Sequence, residues 1–217
     1  PRVRETAAQG LGRDRRGSGA AALVAGAKQE PWPFVRRAEL EALGAICPPA
    51  VGELFTRAVE RDVEEVRRAA LVGLARCKDA RARDTLLHTL GRANEASTLR
   101  ALAAALLGEL GDHAAAPSMA AALSRQISES EADLSVEGVA GATLRALAHL
   151  GGPEAMSAAV ALAKDTHHPF RRDAVDALGT LCDPGAGAAT LRMLEAGPDL
   201  QLAAAARAAT RRCAVRP

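Results

Sequence analysis

The chain has 217 residues and a formal net charge of +2, so it is nearly balanced and carries no strong electrostatic push toward nucleic acid or membrane. Aromatic residues make up 2%, with no tyrosine, and β-branched residues are sparse, which excludes a sheet-based core and points to close-packed helices of alanine and leucine. No run of about 18 apolar residues occurs, so no membrane span is expected, and no signal peptide is visible.

The first predicted element is a helix beginning at Val3. It lies in a basic opening segment that holds Arg2, Arg4, Arg13, Arg15, Arg16, Lys28, Arg36 and Arg37 against Glu5, Asp14 and Glu30. "RDRRGSG" at 13–19 reads as a linker or an exposed basic loop, and a second helix starts near Ser18. Trp32 sits between Pro31 and Pro33 just before the next helix. It either packs on the preceding hairpin or stands out as an anchor for a partner, since tryptophan and arginine are enriched in interface hot spots. Helices then alternate to the end of the chain. One set starts at Val35, Val66, Leu99, Val139, Phe170 and Leu202, and the other near Pro49, Ala80, Ala114, Pro153 and Gly185. Proline is tolerated in a first turn, where its missing N–H would be unpaired anyway, and "GD", "GG" and "DPG" at 111, 151 and 183 read as tight turns.

The first set repeats one pattern. Counted from its anchors Val3, Val35, Val66, Leu99, Val139, Phe170 and Leu202, the spacings are 32, 31, 33, 40, 31 and 32 residues. Offset 8 holds leucine at Leu11, Leu43, Leu74, Leu107, Leu147 and Leu178, with Thr210 the exception. Offset 4 is small except for Glu39. Offsets 0, 4, 8 and 11 fall within about 80° of one another on a helix, so each anchor helix buries one stripe. One hairpin cannot bury its own stripe, and stacked neighbours can. The long spacing places an insert at 124–138, "SRQISESEADLSVEG". Its Glu129, Glu131 and Asp133 form either an acidic helix extension with a solvated loop or a partner-contacting loop.

"VRRAELEALGAI" at 35–46, "VRRAALVGLARC" at 66–77 and "FRRDAVDALGTL" at 170–181 resemble the HEAT-repeat family, in the short variety found in phycobilin lyases; "LRALAAALLGEL" at 99–110 and "VAGATLRALAHL" at 139–150 are looser versions. The resemblance implies an all-α, right-handed α-solenoid of six to seven helical hairpins over residues 1–217, a single array whose unmatched edges suggest a piece of something longer. It says little of function, because such arrays are scaffolds for unrelated partners. The lyase relationship raises an enzyme-accessory reading, but an aromatic-poor chain is a poor holder of a tetrapyrrole. The deoxyhypusine hydroxylases, another family of this type, hold iron with His-Glu dipeptides, and none occurs here.

Offset 1 carries Arg4, Arg36, Arg67, Arg100 and Arg171, interrupted by Ala140 and Ala203, and offset 2, which faces water, adds Arg37, Arg68 and Arg172. Three uses compete: stems laid over the stripe with charges paired to the next repeat, a groove for an acidic protein segment, or a phosphate track. The last is disfavoured by the low net charge, the missing aromatic platforms and the break at Ala140.

Cys47, Cys77, Cys182 and Cys213 all end anchor helices. Their expected role is that of small buried hydrophobes, because neighbouring helix ends usually lie a little too far apart for a disulfide. Cytoplasmic residence is then favoured; disulfides Cys47–Cys77 and Cys182–Cys213 would instead mean an extracytoplasmic protein. His167, His168 and Asp165 cluster in one turn, as surface side chains or a small metal or pH-sensitive site. No P-loop, GxSxG, HExxH or CxxC occurs, so no catalytic residue, metal or cofactor is assigned. The expected function is protein–protein binding, with Trp32, Arg36, Arg67, Arg100, Arg171, Glu129, Glu131 and Asp133 as candidate contacts.

Overall fold

The computed structural model describes residues 1–14, 16–130 and 133–215, and among them the regular structure is helical. The chain divides into two compact units, Pro1–Leu106 and Leu107–Pro217.

The first unit contains α1 (Arg2–Gly12), α2 (Ala20–Gln29), α3 (Pro33–Ile46), α4 (Gly52–Arg61), α5 (Glu64–Arg76), α6 (Ala82–Gly91) and the start of α7 (Ser97–Leu110). Here α3 packs between α1 and α5, with α2 against α3 and α4 against α5. The second unit contains the end of α7, then α8 (Ala116–Ser130), α9 (Glu137–Leu150), α10 (Gly152–Lys164), α11 (Arg171–Leu181), α12 (Ala186–Glu195) and α13 (Leu200–Val215). There α11 packs between α9 and α13, while α8, α10 and α12 lie against them as an outer layer. This is an all-α fold of stacked helical hairpins, an α-solenoid.

The repeated stripe is the core. Val35, Leu43, Val66, Leu74, Leu99, Leu107, Val139 and Leu147 are wholly buried. Val3 is the correction. It is 83% exposed, and Ala7 is exposed with it. Helices α3, α5, α9, α11 and α13 each pack against the outer helix before them, and among the described residues no helix covers Val3 on α1.

The insert begins as an extension of α8. Helix α8 extends to Ser130, five residues longer than α4 or α6. Its inner face continues through Met119, Leu123, Gln126 and Ser130, all buried. Gln126 Oε1 accepts a hydrogen bond of 2.9 Å from the Thr143 hydroxyl on α9, so a polar pair extends the stripe. Asp133 then accepts from the Ser135 N–H at 2.9 Å and starts a short 3-10 turn at Leu134–Val136.

The cysteines overturn the expectation of free thiols. Cys47–Cys77 and Cys182–Cys213 are disulfides, with Cα–Cα separations of 5.2 and 5.1 Å. The physical reason is close helix approach. A Cβ on Gly44 would lie 3.1 Å from the Gly73 Cα, and one on Gly179 would lie 3.0 Å from the Ala209 Cα. Small residues let the two helix ends converge to bonding distance. Cys47 and Cys182 also take left-handed backbone, with φ of 51° and 49°, at a helix end where glycine is the usual residue. The sequence carries a signal for this: "LGAIC" and "LGTLC" place glycine three residues before both cysteines.

Candidate interaction surface

The offset-1 arginines are set by helix geometry at the rim of the buried stripe, beside the turn that joins each outer helix to its anchor helix. From there they reach two ways. Backward, each donates to a carbonyl near the end of the preceding outer helix: Arg36 to Glu30 at 2.6 Å, Arg67 to Val59 at 2.7 Å, Arg100 to Leu90 at 3.2 Å and Arg171 to Ala163 at 3.3 Å. These carbonyls have no intrahelical donor, so the guanidinium caps the helix. Forward, Arg4 binds Glu30 with both donors, at 2.7 and 3.0 Å. Arg36 binds Asp62 likewise, at 2.9 and 2.6 Å, and Arg67 pairs with Glu95.

The electrostatics follow the contacts. The Asp62 hydrogen bond raises the Arg36 pKa. The Arg4 hydrogen bond lowers Glu30 below the ordinary carboxylate range. Burial pushes Glu95 up, but hydrogen bonds from Arg67 and the Ala96 N–H outweigh it and leave the pKa lowered. In the second unit the break at Ala140 is answered at other offsets. Arg145 reaches Asp173 at 3.3 Å and Arg212 reaches Asp176 at 3.1 Å, each from one anchor helix to its neighbour. The arginine pattern did not point to these pairs, because it covers offsets 1 and 2 while Arg145 and Arg212 lie at offsets 6 and 10.

The remaining candidates lie in both units, Trp32 in the first and Glu129 and Asp133 in the second. Trp32 is 49% exposed, with its ring 6.1 Å from that of Phe34, and Arg2 stacks on the other ring, 4.9 Å from the Phe34 centroid. Glu129 is half-buried on α8, Asp133 is an exposed cap, and Glu131 lies outside the described residues. His167 and His168 serve their turn: the His167 N–H donates to Asp165 at 3.1 Å, and His168 Nδ1 accepts from the Phe170 N–H at 3.2 Å. Asp14 accepts from the Arg16 N–H and from the Ser18 N–H and hydroxyl.

Glu39 breaks the small-residue rule at offset 4. It is 7% exposed and presses on Gly26 of α2, and its Oε2 has no hydrogen-bond partner among the described residues. Burial, then the nearby Glu30 charge, raise its pKa to about 7.

Between α3 and α5 lies a groove of about 360 Å³, lined on its floor by Leu40, Gly44, Ala69, Val72 and Gly73 and on its rim by Arg37, Glu41, Glu65, Arg68 and Arg76. The rim residues belong to the anchor helices but face away from the stripe. A second groove, about 570 Å³, separates α8 from α10 and is mainly apolar.

Residues 1–75 match the family model for HEAT repeats. Human deoxyhypusine hydroxylase, in a structure with glycerol, is similar with a TM-score of 0.50 and 19% identity, over 99% of this chain and 80% of that one. A designed armadillo repeat protein is similar with a TM-score of 0.45 and 16% identity, over 88% of this chain and 98% of the other. No curated protein sequence matches the chain. At these identities the structural likeness concerns the fold alone.

Proposed function

We propose that this HEAT-repeat protein is a binding scaffold that holds a protein partner on the outward faces of its anchor helices. The observation that carries the reading is the division of labour between the two arginine rows. The inner row, Arg36, Arg67, Arg100 and Arg171, is engaged by carbonyls and carboxylates of the chain itself. A phosphate track would need those charges free. The outer positions, Arg37 and Arg68, flank a groove with an apolar floor instead, as a protein contact surface does.

The test is photo-crosslinking. A benzophenone side chain replaces Arg37 or Arg68 on the anchor helices, or Arg57 on α4 as the outer-layer control. Protein adducts from the anchor positions that persist at about 0.3 M salt support the reading. Adducts only from α4, or adducts removed by nuclease, overturn it.

Both disulfides join neighbouring repeats, which supports a setting where such bonds form and persist, outside the reducing cytosol. No helix among the described residues is long and apolar enough to cross a membrane.

A further inference from the structure

We propose that the α3–α5 groove docks a partner-protein segment that brings a carboxylate, beside an aliphatic side chain, to Arg76. This rests on the anchor-face reading above and names the chemistry of the partner.

The charges of the groove are unevenly distributed. At one end Arg37 lies 3.6 Å from Glu41 and Arg68 lies 3.9 Å from Glu64, with Glu65 beside them, so both arginines there already have carboxylates of the chain. Arg76 stands about two turns beyond Arg68 along α5, at the disulfide end. Among the described residues no carboxylate lies within ion-pair distance of it. The floor there is the Gly44–Gly73 contact, with Val72 and Leu40 next to it. A short aliphatic side chain fits such a floor, and a charge above it meets a single cation.

The second disulfide-tied pair of helices provides the comparison. Counted from their anchors, Asp176, Gly179 and Arg212 of α11 and α13 occupy the positions of Glu41, Gly44 and Arg76. Arg212 lies across Gly179, where a Cβ would come within 2.5 Å of its Nη2, and it holds the Asp176 carboxylate at 3.1 Å. The position of Arg76 is therefore one from which an arginine takes a carboxylate over a glycine. In α3–α5 that partner does not come from within the described chain: Glu41 stays with Arg37, and Gly73 stands where α13 has Ala209, leaving the floor one methyl deeper. Guanidinium–carboxylate pairing of this kind is directional and favours a planar acid. A nucleic-acid backbone is the poorer occupant, because Glu41 and Glu65 stand in its path and the floor is apolar.

The experiment uses the full oxidised chain and short fluorescein-labelled peptides containing glutamate and leucine, with lysine replacing glutamate in the control and an oligonucleotide as the second anion. Fluorescence anisotropy is expected to show saturable binding of the glutamate peptide. Arg76→Gln and Val72→Asp should each weaken it about tenfold or more, with helicity and melting unchanged, and Arg57→Gln should not. Arg76→Glu should in turn gain the lysine peptide, a result that loss of folding cannot produce. No saturable binding, equal binding of the lysine peptide, tighter binding of the oligonucleotide, or indifference to Arg76→Gln would each overturn the proposal. Crosslinks from Arg37 and Arg68 positions alongside a failed glutamate peptide would leave the anchor-face reading standing and remove only the carboxylate chemistry.

Discussion

Arg36 on α3 and Asp62, which ends α4, form a two-pronged ion pair with donor–acceptor distances of 2.9 and 2.6 Å, and the same guanidinium holds the Glu30 carbonyl at 2.6 Å. One side chain thus fastens the end of its own hairpin to the end of the next. Both partners are largely shielded, with side chains 20% and 15% exposed. Arg36→Ala is expected to lower unfolding free energy by about 1–3 kcal/mol, since it leaves a part-buried carboxylate and carbonyl without their donor. Urea denaturation checks this. A double-mutant cycle with Asp62→Ala should give a coupling of about 1 kcal/mol or more, whereas the exposed pair Arg57–Glu53 should give less than about 0.5 kcal/mol.

Glu39 gives the first unit an unusual pH dependence. Its pKa rises on folding from the ordinary 4.5 to about 7, chiefly through burial. The folded state then retains a proton that the unfolded chain has already lost, so this group's contribution falls as pH rises from about 4.5 to about 7 and is level above that. Glu39→Gln keeps the shape and removes the titration. The variant should be more stable than the parent at pH 8, by up to about 3 kcal/mol, and equal to it near pH 4. A constant difference across that range would refute the assignment.

Each disulfide closes a loop of about 30 residues and should contribute about 3–4 kcal/mol by restricting the unfolded chain. Mass spectrometry of the unreduced, alkylated protein should find no modified cysteine. Cys47→Ser with Cys77→Ser should lower the denaturation midpoint, and a midpoint unchanged by reduction would contradict the stabilising role.

The helix contact beneath the first disulfide depends on having no side chain. A Cβ on Gly73 would sit 2.5 Å from the Phe55 ring, which is itself fully buried. Gly73→Ala is expected to destabilise by about 1–3 kcal/mol through overpacking. Gly10 in α1 meets nothing within 4 Å, so Gly10→Ala should stabilise by about 0.5–1 kcal/mol through helix propensity. Thermal melts of the two variants should move in opposite directions.

The stripe was legible because a helix repeats its own geometry: once Val66 and Leu74 are seen eight apart, their shared face follows from rotation per residue. What a position packs against is not periodic. Val3 obeys the pattern and is exposed, because burial needs a neighbouring helix that local sequence does not specify. Glu39 was visible as an exception, yet its isolation depends on Gly26 of another helix. The disulfides depend on a convergence of a few ångströms, and only the small residues Gly44 and Gly179 hinted at it. The α3–α5 groove follows from the same contacts between helices, so it too was silent in the sequence.

A chain of stacked hairpins pulled from its two ends would pay out repeat by repeat like a spring drawn past its elastic range. The covalent links between Cys47 and Cys77 and between Cys182 and Cys213 withhold part of that length. With sequence separations of 30 and 31 residues, each link hides about 100 Å of extended chain. Under load the oxidised protein would therefore reach its taut limit about 200 Å short of the reduced one, and a reductant added during pulling would release that slack in two steps of nearly equal size.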